Sequence, residues 1–248
     1  MTITLKESYE IGEQVANDPL VVVVNDFLSP EECAHVIGLA HDKISRGRVT
    51  LDGKVAYSPG RTGSTAWIPH NVTPTIAAIV GRVSELIGIP ASHAESLQVV
   101  HYAETQEYRA HHDAWKRGTT RHAERTANGG QRLVTALMYL NQVESGGATG
   151  FPKLELEVEA IPGRMVLFHN TNDAEFDVHK NSLHGGLPVS AGEKWACNLW
   201  FRERPYNRPS DSKKPLPKAK AKPGPNRKAK PDAKKNRKAQ KKARRKNR

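Results

Sequence analysis

Leu97-Gln98-Val99-Val100-His101-Tyr102 opens the half of the chain that decides the fold. Four runs of similar character follow: Leu133–Leu140, Leu154–Ile161, Met165–His169 and Trp195–Phe201. Each is short and rich in the aliphatic and aromatic residues that suit a pleated surface, so each predicts a strand. Gly129-Gly130, Gly146-Gly147, Pro162-Gly163 and Gly185-Gly186 fall between them and read as turns. Short strands between glycine turns predict a double-sheet roll, that is, a double-stranded β-helix or jelly-roll core.

Upstream, the pattern changes to helices. Pro19–Val24 reads as a β-branched strand. Ser29-Pro30-Glu31-Glu32 then starts a helix: Ser29 is the N-cap, Pro30 suits the first turn, and Glu32 completes a capping box. Cys33, Val36, Ile37 and Ala40 recur along it at helical spacing. A second helix begins at Thr73-Pro74, carries Ile76, Ile79, Val80, Val83 and Ile87, and ends near Gly88-Ile89-Pro90. The expected class is α+β, a jelly-roll core with packed N-terminal helices. The expected divisions are 1–18, an irregular lead-in; 19–92, strand and supporting helices; 93–205, the core; and 206–248, a basic disordered tail.

Composition sets the tail apart. Of 38 Lys/Arg and 26 Asp/Glu in the 248 residues, 19 bases and two acids lie in 207–248, leaving 19 bases and 24 acids before it. The net charge of +12 is therefore a property of the tail, and the body is mildly acidic. Leu216 is the one large aliphatic residue there, and no aromatic residue is present, so no core can form. Two cysteines are too few for a disulfide framework. Val21–Val24 falls far short of the ~20 apolar residues of a membrane span, so a cytoplasmic protein without membrane contact is expected.

The chemistry centres on His111-His112-Asp113. Residues i and i+2 of an extended chain point the same way, so His111 and Asp113 aim at one point while His112 faces away. An imidazole and a carboxylate so placed fill two corners of an octahedron. A third ligand completes a two-His-one-carboxylate face that leaves sites for a cosubstrate and dioxygen on Fe(II). Alone, this pattern is common, and a surface turn is its ordinary reading. His169, His179 and His184 are the downstream candidates. His184 precedes Gly185-Gly186 at a strand end, and Lys194 opens a strand ten residues later. A chelating dicarboxylate needs a fixed cation for its far end, and Lys194 could supply it.

Four segments in order carry a family resemblance. Tyr102–Asp113 resembles the iron-binding motif of the prolyl 4-hydroxylases, and Gly130–Asn141 resembles the strand after it. Gly146–Pro152 resembles the following turn, and His184–Val189 through Gly192–Trp195 resembles the distal-histidine and lysine segment. The helix start at Phe27–Cys33 is similar too, and the likeness spans roughly 19–205. The resemblance implies that His111, Asp113 and His184 hold Fe(II), with no catalytic residue beyond these ligands. It implies that Lys194 binds the distal carboxylate of 2-oxoglutarate and that Tyr102 and Tyr139 hydrogen-bond the cosubstrate. Thr135 shares a strand face with Tyr139 and is a candidate for the same pocket. Asn198 and Trp200 share the Lys194 face; for these and Thr135, core packing is the simpler reading.

The implied reaction is hydroxylation of a peptidyl proline with release of succinate and CO2, with L-ascorbate rescuing oxidised iron. Two departures bear on the substrate. The family's Gly-Gly-Gln-Tyr is here Thr105-Gln106-Glu107-Tyr108, and the proline before the first ligand is Ala110. Trp115–Asn128, with Lys116, Arg117, Arg121 and Arg125, reads as a flexible insert near the site. The basic segment 207–248 suggests contact with RNA, DNA or ribosomes by counterion release, or simple solubilisation. Competing readings are an oxygenase of another side chain or of nucleic acid, and a catalytically silent binding protein. Oxygenases of nucleic acid anchor 2-oxoglutarate with arginine, so Lys194 favours the hydroxylases.

Overall fold

The computed structural model describes residues 3–206 apart from 48, 52–53, 57–58 and 173–174. The basic segment 207–248 lies outside the described residues.

The strand Arg132–Tyr139 explains the layering. Val134, Ala136 and Met138 point to one face, Thr135, Leu137 and Tyr139 to the other, and all six are buried. A strand with no wet face has to sit inside a sheet covered on both sides. It lies between Met165–His169 and Lys194–Arg202 in an eight-stranded sheet. Across that sheet the order is Glu13–Asn17, Leu20–Val24, Met165–His169, Arg132–Tyr139, Lys194–Arg202, Leu97–Tyr102, Ser64–Ile68 and Ser45–Arg46. Each neighbouring pair is antiparallel. The segments 19–92 and 93–205 thus share one sheet, because strands from both pair within it.

Helices cover one face. Val134, Ala136, Met138, Cys197, Leu199 and Phe201 pack with Val36 and Ala40 of helix Pro30–His41 and with Ile76, Ile79 and Val83 of helix Pro74–Ile87. Each of the larger side chains among them, the Val, Leu, Ile, Phe and Met, contributes about 1.5–3 kcal/mol when fully buried. The first helix has its capping box: the Ser29 hydroxyl accepts from the Glu32 amide at 3.2 Å, and a Glu32 carboxylate oxygen accepts from the Ser29 amide at 3.0 Å. The second starts at an N-capping Thr73 and stops at a left-handed Gly88. The other face meets a four-stranded antiparallel sheet, ordered Leu156–Val158, Thr149–Phe151, His184–Gly186, Tyr108–His111. Leu137, Tyr139 and Ala196 pack there with Phe151, Val158 and Phe168. The architecture is mostly antiparallel sheet with three α-helices among the described residues.

Four expectations are corrected. Residues 13–17, within the lead-in read as irregular, form the outermost strand, paired with Leu20–Val24. Its residues are largely exposed, as an edge allows, so no hydrophobic alternation marks it. Gly185-Gly186 is not a turn but part of a strand. A Cβ on Gly185 would lie 2.8 Å from the Tyr108 carbonyl oxygen, so glycine is there because two backbones approach closely. Thr149–Phe151, placed in a turn, is a strand paired on both sides. The insert 115–128 contains a helix, Thr120–Thr126, N-capped by the Thr119 hydroxyl. No helix among the described residues is long and apolar enough to cross a membrane.

Candidate active site

His111 and His184 face each other in direct register where Tyr108–His111 pairs with His184–Gly186. Asp113 follows just past the end of the first strand. One ligand atom from each of the three lies within 4.8 Å of the others. Asp113 Oδ1 is 3.6 Å from His111 Nε2, and Oδ2 is 3.5 Å from His184 Nε2.

Backbone carbonyls set both imidazole tautomers. His111 Nδ1 lies 2.9 Å from the Arg109 oxygen, and His184 Nδ1 lies 2.9 Å from the Ser182 oxygen. A carbonyl can only accept, so each Nδ1 carries a hydrogen, and in the neutral ring Nε2 keeps its lone pair. Burial, opposed by Asp113, pulls His184 down to about 4, which keeps the ring neutral. Burial would by itself raise the Asp113 carboxyl. The imidazoles of His184 and His111 and the Arg132 guanidinium outweigh it and hold that carboxyl well below the usual range. Two imidazole nitrogens and a carboxylate oxygen converging on one point fit a divalent first-row metal.

Outer partners hold the carboxylate. Asp113 Oδ2 accepts from Thr135 Oγ1 and from Trp200 Nε1, each at 2.8 Å. Asn170 Nδ2 donates to the same Thr135 oxygen at 2.8 Å, which directs the threonine hydrogen onto Asp113. Thr135 therefore stands behind the carboxylate and not among the residues that line the cavity, in keeping with its simpler reading as packing. Removing either donor is expected to weaken metal binding by about 10–100-fold. Thr135→Val and Trp200→Phe, titrated with Fe(II) under nitrogen, would check this; an unchanged dissociation constant in both would contradict it.

Lys194 pairs in register with Tyr102 and is 2% exposed. Its Nζ donates to the Gly147 carbonyl and lies 5.2 Å from the Tyr139 ring centre and 5.8 Å from that of Tyr102. No carboxylate is within ion-pair distance of it among the described residues. Burial pulls this amine down to about 8. A buried ammonium so placed lacks a counter-anion. The Tyr102 hydroxyl makes no hydrogen bond among the described residues. The Tyr102 ring is set by Gly63, where a Cβ would come within 2.5 Å of the Tyr102 ring carbons.

Tyr139 differs from expectation. Its hydroxyl lies 2.7 Å from Thr149 Oγ1 and 3.1 Å from the Val158 carbonyl oxygen, and its side chain is fully buried behind the wall. Thr149 lines the cavity in its place. Asn198 and Trp200, the possible pocket residues, line it. His169 bonds the Tyr9 hydroxyl at 3.0 Å and His179 bonds Asp18 at 2.7 Å, so neither joins the cluster. His112 turns to the Lys180 carbonyl.

The sites meet in one cavity of about 620 Å³. Three lining arginines, Arg46, Arg61 and Arg132, escaped sequence reasoning. Arg132 stacks over Trp200 at 3.6 Å and is clamped by Glu95 through bonds of 2.6 and 2.9 Å. Arg61 lies 4.7 Å over the Tyr108 ring, which itself stacks on His111 at 3.7 Å. Arg132 sits inside the quoted strand segment and could have been noticed. Arg61 lies in a polar stretch with no periodic signal.

Residues 97–202 match the model of the 2OG-Fe(II) oxygenase superfamily. The chain is 34% identical over 212 residues to prolyl 4-hydroxylase 5 of Arabidopsis thaliana, covering 76% of this chain and 70% of that protein. It is 34% identical over 210 residues to prolyl 4-hydroxylase 1 of the same plant, covering 77% and 72%. Among solved structures, the 2OG complex of the viral collagen prolyl hydroxylase of Paramecium bursaria Chlorella virus-1 superposes with a TM-score of 0.59 at 25% identity, covering 73% of this chain and 95% of that one.

Proposed function

Because the chain belongs to the prolyl 4-hydroxylase-like 2OG-Fe(II) oxygenases, we propose that it hydroxylates a proline within a peptide or protein, with His111, Asp113 and His184 as the Fe(II) ligands. The two facing sheets are read as the family's jelly roll. The observation that carries the assignment is the convergence of two imidazole Nε2 atoms and one carboxylate beside a buried, counter-anion-deficient Lys194.

Fe(II) held there would use 2-oxoglutarate and dioxygen to place one oxygen atom in a substrate C–H bond and the other in succinate, releasing CO2. The chain's own residues do the positioning. Thr135 and Trp200 bond Asp113 Oδ2 and fix the carboxylate between the two imidazoles, with Oδ1 toward His111 and Oδ2 toward His184. Lys194 pairs with the distal carboxylate, and the Tyr102 and Thr149 hydroxyls bond the cosubstrate beside it. Phe168 flanks the His184 imidazole and Tyr108 that of His111 with aromatic rings. L-Ascorbate would act as reductant after turnovers without substrate, in a cytoplasmic setting.

The test is incubation with Fe(II), 2-oxoglutarate and proline-containing peptides, with succinate release and a +16 Da shift on proline as readouts. Peptide-independent succinate release without any modified proline would refute the proline assignment.

Lys194 adds a pH signature. Its ammonium in the free enzyme loses charge as pH rises past about 8, while the cosubstrate carboxylate stays ionised. kcat/KM for 2-oxoglutarate is expected to be flat below that pH and to fall about tenfold per unit above it. Lys194→Arg, which stays charged, should remove the fall. A wild-type profile flat well above that pH would contradict the role.

A further inference from the structure

The cavity carries more positive charge than a cosubstrate needs. Besides Lys194, its wall includes Lys43, Arg46 and Arg61 on one segment and Arg121, Arg125 and Arg132 on another. Asp113 is the one acid among the described residues that line it, and it is the assigned metal ligand. This contrasts with a body whose first 206 residues hold more acids than bases. The cations are thus gathered at the site against the trend of the surrounding surface.

Arg61 is the informative member. It is 9% exposed, yet no carboxylate lies within ion-pair distance of it among the described residues. Its side chain donates to Gln98 Oε1 at 3.0 Å and lies over the Tyr108 ring. A guanidinium carries five N–H donors, so this one is left with capacity toward the cavity. Arg132, by contrast, is already balanced by Glu95.

We propose that the protein selects acidic segments, in which the target proline is flanked within a few residues by Asp or Glu that pair with Arg61 in the cavity and with Arg121 and Arg125 at its rim. The proposal rests on the peptidyl-proline reading and names the substrate class for it. A nucleic acid would satisfy the same charges. However, Arg132 lies over the face of Trp200 at 3.6 Å and Arg61 over that of Tyr108, so these ring faces are taken where bases would have to stack. Carboxylates need only the guanidinium edges.

The experiment compares three peptides that share one proline core and differ only in acidic, neutral or basic flanks. Fluorescence anisotropy gives binding, and mass spectrometry gives proline hydroxylation. The acidic peptide is expected to bind about tenfold tighter than the neutral one, with the basic peptide weakest. The preference should shrink as salt screens the rim charges. The double variant Arg121→Glu, Arg125→Glu should shift the order toward the basic peptide. Misfolding would lose all three peptides and would not reorder them. Arg61→Gln should narrow the gap between acidic and neutral peptides. Equal kcat/KM for the three peptides overturns the charge selection and leaves the proline reading standing. Charge-ordered binding without +16 Da on proline overturns the proline reading and leaves the charge selection standing. An RNA oligonucleotide that outcompetes the acidic peptide overturns the choice of partner.

Discussion

His184→Ala is expected to abolish iron binding and 2-oxoglutarate turnover together. His184 supplies one of three ligand atoms that converge within 4.8 Å, and its neighbours cannot replace it. His112 is turned to the Lys180 carbonyl, and His179 is held by Asp18. Loss of an outer hydrogen-bond partner already lowers metal affinity or activity by about 10–100-fold, so loss of a ligand should exceed the upper figure. The checks are iron content after anaerobic loading and succinate release. His112→Ala is the control, since the same kind of residue is removed from beside the cluster. Retention of iron and turnover in His184→Ala would refute the ligand assignment.

Glu95→Ala is expected to cost about 3–5 kcal/mol of folding stability. Glu95 is 2% exposed and bridges two guanidiniums, Arg132 at 2.6 Å and Arg202 at 2.7 Å. Burial alone would raise its carboxyl, but Arg132 and Arg202 hold it below its ordinary value, so it is ionised. Its removal leaves two cations deep in the protein without their shared counter-charge. Urea unfolding should show a lower midpoint with an unchanged slope. Arg132 also loses the clamp that holds it over Trp200, whose indole donates to Asp113. Iron affinity should therefore fall along with stability. A midpoint within error of wild type would show that the triad contributes nothing.

The converging trio was legible because its signals are local or ordered along the chain. His111 and Asp113 lie on one extended segment, and the order of motifs with Lys194 downstream singled out His184. Helix starts were legible for the same reason, since Ser29 and Glu32 cap within one turn. What failed depended on distant partners. Tyr139 shares a strand face with pocket residues, yet its hydroxyl is held by Thr149 and Val158, which only the folded sheet brings near. Thr135 reads most simply as packing, and its bond to Asp113 emerges only in the folded sheet. Gly185-Gly186 looked like a turn because close backbone approach and turn formation both favour glycine. Arg61 became visible only when strand pairing set it beside Tyr108.

The central claim is that His111, Asp113 and His184 hold the metal while Lys194 holds the far end of 2-oxoglutarate. The most direct measurement is a crystal structure of the protein grown without oxygen in Mn(II) and 2-oxoglutarate, with the metal located by anomalous scattering. The account predicts metal bound to Nε2 of both histidines and to Asp113 Oδ1, with the distal carboxylate on Lys194 Nζ. Metal bound away from this trio, or the distal carboxylate on Arg61 or Arg132 with Lys194 unused, would contradict it.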